Sequence, residues 1–149
     1  MKRRLYLDTG PIGWLYNPKR ATIGPAWIQA QSRAWTVVVA APVMYEARRD
    51  AIRREARQAL GALGVILSLT EYEDLDQQDW ETGAALWALA RANGKPTADD
   101  KELDCDVLIG ALVVRHEGAA VVTTNTKHFH AFGLSEQQVF NWEPPVIRA

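Results

Sequence analysis

Apolar residues fall in short runs separated by polar or glycine- and proline-marked breaks, at the spacing of a chain that alternates strands with helices. Leu5-Tyr6-Leu7 reads as a strand ending at Asp8, with Thr9-Gly10-Pro11 as the turn that stops it. A helix carrying Trp27 and Ile28 follows Gly24-Pro25. Thr36 to Val39 is the clearest strand, an unbroken β-branched run closed by Pro42, and its pattern fits a strand buried on both faces of a parallel sheet. Pro42 suits the first turn of a helix that runs to Gly61 or Gly64. Val65 to Leu69 reads as a third strand.

An acidic stretch from Glu71 to Glu81 leads into a helix through Trp80, Ala84, Trp87, Ala88 and Arg91, stopped by Asn93-Gly94 and Pro96. A polar loop, Thr97 to Glu102, precedes Val107 to Val114, which is long for a strand and reads as a buried helix ending at Gly118. Ala119 to Thr123 makes a fourth strand, and Val139-Phe140 closes a fifth. The pattern predicts an α/β fold with a mostly parallel sheet of four to five strands and no linker or repeat.

Composition narrows the function classes. With 149 residues, 48% of them hydrophobic, the chain can build a core without staples. Cys105 is the only cysteine, which excludes an intramolecular disulfide and a multi-cysteine zinc site. No apolar run approaches a membrane span and the first residues lack a signal-peptide core, so a cytoplasmic location without membrane contact is expected. The net charge of −1 divides into +7 over residues 1–58 and −8 over the remainder. That asymmetry fits a surface for polyanions beside an acidic site, or charges that intermix once folded.

In parallel α/β sheets ligands bind outside the carboxyl ends of the strands. Asp8 follows the first strand at once. Glu46 lies one helical turn past the second. Asp104 and Asp106 open the buried helix, and Asn125 stands two residues past the fourth strand. Carboxylates brought together repel unless a cation neutralises them. Mg²⁺ or Mn²⁺ suits an oxygen-rich site, and metal-assisted phosphodiester hydrolysis suits the arrangement. Each residue also has a structural reading. Asp8 can shape a turn, Glu46 can pair with Arg49, and Asp50 can pair with Arg54. Asp104 can cap the helix, Asp106 can complement its dipole, and Asn125 can be a loop residue.

The order and spacing of Leu7-Asp8-Thr9-Gly10-Pro11-Ile12, Glu46 in Pro42-Val43-Met44-Tyr45-Glu46, Asp106 in Asp104-Cys105-Asp106-Val107, and Val122-Thr123-Thr124-Asn125-Thr126-Lys127-His128-Phe129 resemble the PIN-domain ribonucleases. Within that family the chain is most similar to VapC-like toxins of toxin–antitoxin pairs. The resemblance covers essentially the whole chain and implies one PIN-like domain over residues 1–149, with three α/β/α layers. It implies Mg²⁺- or Mn²⁺-dependent cleavage of RNA, with tRNA or rRNA as target classes. It also implies frequent homodimers and a cognate antitoxin that blocks the site. Asp8, Glu46 and Asp106 match the family's acidic metal positions, with Asp104 as a further ligand. Thr9 matches the supporting hydroxyl. At the fourth family position an Asp is common, and this chain has Asn125, with His128 at the nearby position that can also be acidic. A metal held there would be held more weakly, which leaves the metal count open.

On the helix after Pro42, Glu46, Arg49, Asp50, Arg53 and Arg57 fall within about one 100° arc. A basic stripe of Arg49, Arg53 and Arg57 leading away from Glu46 would suit RNA phosphates, an acidic antitoxin tail, or solvent. Most of the six Trp residues read as core or interface, the three His as surface, with His128 nearest the site. Cys105, between two acids, reads as a packed thiol and not a nucleophile. Two other functions compete with the nuclease. One is a degenerate PIN-like module that binds RNA or a protein without cleavage. The other is an aspartic protease, suggested by Asp8-Thr9-Gly10 alone and tied to an all-β fold.

Overall fold

A computed structural model describes residues 1–93 and 100–146. Five strands, β1 (Arg3–Leu7), β2 (Trp35–Ala40), β3 (Glu71–Glu73), β4 (Ala120–Thr123) and β5 (Val139–Asn141), form one sheet in the order β3-β2-β1-β4-β5. Every pairing is parallel, with Tyr6 opposite Val38, Leu7 opposite Val122 and Val122 opposite Phe140. The helices are α1 (Thr9–Leu15), α2 (Ile23–Gln31), α3 (Ala41–Arg53), α4 (Arg57–Leu69), α5 (Gln77–Ala92), α6 (Asp100–Arg115) and α7 (Thr126–Ala131). The crossovers put α1 to α4 on one face and α5 to α7 on the other, and the helices of each set pack together. The architecture is the expected three-layer α/β/α sandwich, and it excludes the all-β aspartic protease.

Burial explains the strand patterns. Leu5, Tyr6 and Leu7 are all inside, as are Val37 to Ala40 and Ala119 to Thr123, because helices cover both faces. Between them the central strands supply an unbroken apolar slab, onto which Ile12, Ile28, Val43, Ile66, Ile109 and Phe129 pack from the two helical layers.

The structure corrects several expectations. The Thr9-Gly10-Pro11 turn is the first turn of α1, with Pro11 buried in it. Gly10 is small there because a Cβ would lie 2.8 Å from Thr124 Oγ1. The predicted helix from Pro42 to Gly61 or Gly64 is two helices, broken where Glu55 takes a left-handed φ of 51°. Continuous helix from Ala41 to Leu69 would run about 43 Å, twice the ~20 Å of a six-residue strand, so the chain must fold back to stay on the sheet. Val65 to Leu69 is the end of α4, where only Ile66 is fully buried, and the third strand is the acidic Glu71–Glu73 at the sheet edge. A short apolar run reads equally as strand or buried helix, and here the one-sided burial decides it.

Helix α6 begins at Asp100, inside the expected Thr97–Glu102 loop, whose first residues lie outside the described ones. Asp104 and Asp106 therefore stand in its second turn, and Asp104 is not a cap. The acids between Glu71 and Glu81 include a built network. Asp76 and Asp79 form a reciprocal capping box at α5. Arg115 then reaches Asp76 at 2.8 Å, Asp79 at 2.9 Å and Glu73 at 3.5 Å.

Candidate functional site

Strand order reverses between β1 and β4: the chain leaves β1 toward β2 on one side and returns from β3 to β4 on the other. At such a switch point the loops part and leave a crevice. Asp8 directly follows β1 and Thr123 ends β4 at that crevice, both buried. The Asp8 carboxylate accepts from Thr9 N–H at 2.7 Å through Oδ1 and from Thr123 Oγ1–H at 2.6 Å through Oδ2. Thr9 Oγ1 adds a long contact to Oδ1 at 3.4 Å. Asp8 is thus both the N-cap of α1 and a fixed carboxylate at the crevice.

Asp8 is not alone there. Burial raises its pKa above the ordinary carboxylate value against the lowering effect of the Thr123 and Thr9 hydrogen bonds and of His128's charge. Burial also raises Glu46, which Arg49 lowers and the Asp8 charge raises further. Cys105, buried on α6, has its thiol pushed well up by burial and then by Glu46, Asp8 and Asp106. Three carboxylates, from the cap after β1, from α3 and from α6, thus act on one buried thiol, so they share a neighbourhood. Cys105 is the packed, un-nucleophilic thiol its position between acids suggested.

Asp106 is buried, and His128 Nδ1 on α7 lies 2.7 Å from its Oδ2, an imidazole N–H donating to a carboxylate oxygen. Among the described residues, no group of three or more His, Cys, Asp or Glu side chains is already arranged to hold a metal ion. Each Asp8 oxygen takes one hydrogen bond, from Thr9 and from Thr123, and keeps a further acceptor site, while Asp106 Oδ2 faces His128. The donor set itself is hard carboxylate oxygen, of the kind Mg²⁺ and Mn²⁺ take, and mutual repulsion of the acids is what a cation would relieve.

The remaining expected site residues are dispersed. Asp104 is exposed and lines a separate cleft of about 340 Å³ between α5 and α6, beside Trp80 and Trp87. Asn125 is exposed at the start of α7; its N–H bonds Thr123 Oγ1 at 2.9 Å and its side chain makes no capping bond. The basic stripe is interrupted. Arg57 belongs to α4, across the break at Glu55, while Arg53 and Arg54 turn back on Asp50 at 3.1 and 3.2 Å. Arg49 alone of the three stays beside Glu46, its guanidinium 5.2 Å from the Tyr45 ring centroid.

Thr123 is the site residue that sequence reading passed over. Its signal was a hydroxyl closing an otherwise apolar strand, a position that must be bonded if buried.

No family model matches the chain, and no curated protein matches it by sequence. Among solved structures, the chain is similar to one in VapBC2 from Rickettsia felis bound to a DNA fragment from their promoter. The TM-score there is 0.73 at 19% identity, over 94% of this chain and 99% of that one. It is also similar to a chain of FitAB bound to an IR36 DNA fragment, with a TM-score of 0.62 at 20% identity over 92% and 94% of the two. At these identities the likeness is one of fold: the chain has the same PIN-like three-layer α/β/α architecture.

Proposed function

We propose that this protein is a divalent-metal-dependent endoribonuclease, one PIN-like domain over residues 1–149, and the toxin of a toxin–antitoxin pair. The observation that carries the proposal is the buried Asp8 carboxylate, held by Thr9 N–H and Thr123 Oγ1–H at the switch point of the sheet, with Glu46 and Asp106 near enough to act on the same buried Cys105 thiol. Likeness of fold to chains of VapBC2 and FitAB supports the toxin role and a cognate antitoxin as partner. A homodimer is the expected resting assembly within that role.

Asp8, Glu46 and Asp106 would hold Mg²⁺ or Mn²⁺, which when bound lowers the pKa of an attacking water and neutralises charge on the phosphate. The chain's own residues supply the rest. Thr9 and Thr123 fix the rotamer of Asp8, His128 orients Asp106, and Arg49 stands at the edge of the acids to meet an RNA phosphate. Asn125 contributes through its backbone, which anchors Thr123.

Purified protein incubated with single-stranded RNA should cleave in Mn²⁺ and not in EDTA, and Asp8→Asn or Asp106→Asn should abolish cleavage. Metal-independent cleavage, or an active Asp8→Asn, would show the assignment to be wrong. One observation favours a second reading, a module that binds RNA or a protein without cutting: Asp106 Oδ2 is already engaged by His128. Calorimetry decides between them, since absence of Mn²⁺ binding at millimolar concentration supports the module.

A further inference from the structure

Helices α1 and α3, which carry Thr9 and Glu46, leave a polar groove of about 270 Å³ between them. Thr9, Gly13 and Tyr16 line its α1 side at i, i+4 and i+7, one face of a helix. Glu46, Arg49 and Asp50 line the α3 side, with the small Ala47 in its floor. The groove therefore opens at the candidate metal site and runs from it along both helices to Tyr16 and Asp50. Gly13 borders open space in this wall: a Cβ built there meets nothing within 4 Å, so a larger side chain has room to extend from it.

The groups along it are fixed and chemically mixed. Asp50 is held by Arg53 and Arg54 at 3.1 and 3.2 Å, and its carboxylate keeps further acceptor sites. Tyr16 faces it; burial and the Asp50 charge keep the phenol protonated, so it can donate or accept. Arg49 is steadied over Tyr45. One end thus offers a guanidinium beside the acids, where a phosphate would lie, and the other offers a carboxylate and a phenol. The volume suits one small ligand and not a duplex, whose bases are stacked away from such a groove.

We infer that the α1–α3 groove is a subsite for one unpaired nucleotide next to the scissile phosphate. In it Arg49 takes the phosphate, and Asp50 with Tyr16 reads a base edge that donates hydrogen bonds. Guanine, with an imino and an amino donor side by side, fits a carboxylate best; uracil, which offers a single imino donor between two carbonyls, fits it poorly. The inference rests on the nuclease reading for the place of the scissile bond, while the groove's affinity for a nucleotide stands by itself.

The test uses 5′-GMP and 5′-UMP titrated into the metal-free protein by NMR, and single-stranded RNAs differing at one base in cleavage assays. GMP should shift the amides of Gly13, Tyr16 and Asp50, with UMP weaker by roughly tenfold or more. Gly13→Leu should fill the groove and abolish the GMP response while the circular dichroism spectrum stays that of the parent. Asp50→Asn and Tyr16→Phe should flatten the base preference. Equal responses to GMP and UMP, or a Gly13→Leu protein that binds GMP unchanged, would overturn the inference. So would groove amides that answer only to a partner protein. If GMP binds in the groove but no RNA is cut in any metal, the nuclease reading fails and the subsite stands. If RNA is cut without base preference and Gly13→Leu is indifferent, the subsite fails and the nuclease reading stands.

Discussion

Thr123 Oγ1 donates a hydrogen bond to Asp8 Oδ2 at 2.6 Å, across the point where the strand order of the sheet reverses. The same hydroxyl accepts from Asn125 N–H at 2.9 Å. One side chain therefore aims the central carboxylate and fixes the first step of the chain out of β4. The backbone supports the pairing, since Asp8 N–H bonds Val122 O at 3.1 Å. The first acid is thereby rigid before anything binds.

Replacing Thr123 with Val keeps the shape and removes the hydroxyl, leaving the Asn125 N–H and one Asp8 oxygen without their partner. A loss of about 1–2 kcal/mol in urea denaturation is expected, and Thr123→Ser should recover most of it. Mn²⁺ affinity should fall by roughly 10–100-fold in the Val variant, the usual cost of losing a group that orients a ligand. Val and wild-type proteins with the same stability and metal affinity would show that the bond is idle.

Asp8 is buried with a raised pKa, so its folded state binds a proton more readily than its unfolded state. Its protonation therefore adds stability in acid, and that contribution is lost as pH rises through the raised pKa. In EDTA, Asp8→Asn should become more stable than wild type as pH increases from about 4, the ordinary range of an Asp carboxyl, toward neutrality. A gain near 1 kcal/mol corresponds to about 2–4 °C in Tm for a chain of this size. A gap between the two melting curves that stays constant with pH would show that the ionised carboxylate costs nothing.

Much of this was legible in the residues. Buried strands announced themselves as unbroken apolar runs, and the acids after them followed from strand ends in a parallel sheet. Where reading failed, the cause was three-dimensional. Nothing in Arg53-Arg54-Glu55-Ala56 marks a stop, because that break is imposed by the length of the sheet and not by a local breaker. The basic stripe fell with it, since an arc computed for a continuous helix has no meaning across a bend. Val65 to Leu69 carries the same residues a strand would, and only one-sided burial separates the cases. Thr123 and the His128–Asp106 bond join residues far apart in the chain, a relation that periodicity does not encode.

Glu55 sits at φ 51°, a conformation that crowds an L side chain. Its side chain is exposed, so Gly gives up little there and relieves the backbone. Glu55→Gly should gain about 1 kcal/mol in denaturant midpoint analysis, with the same m-value. Destabilisation instead would mean that the bend between α3 and α4 depends on the Glu side chain.

Cys105 reports on the acids around it. Burial and the charges of Glu46, Asp8 and Asp106 keep its thiol protonated, so a thiol reagent at pH 8 should react only after denaturant is added. Rapid reaction of the native protein would place the thiol in solvent and loosen the case for a shared carboxylate neighbourhood.

At the other end of α6, Asp79 is only 2% exposed and depends on Arg115, which also holds Asp76 and Glu73. Glu73 in turn accepts from the buried Tyr6 hydroxyl, lies 3.4 Å from Arg4 and bonds His116 at 3.0 Å. Arg115→Met keeps the length of the side chain and removes the guanidinium, leaving Asp79 with the Asp76 N–H at 2.9 Å as its remaining bond in the network. A fully buried pair broken this way costs 3–5 kcal/mol; with Arg115 one-third exposed, about 2 kcal/mol is expected. Asp106 lies nine residues up the same helix, about 13 Å away, so RNA cleavage at a temperature where both proteins are folded should be unchanged. Thermal melting and a cleavage assay on the same preparation check both halves. An unchanged Tm would show the network contributes nothing, and lost cleavage at full stability would show that the two ends of α6 are coupled.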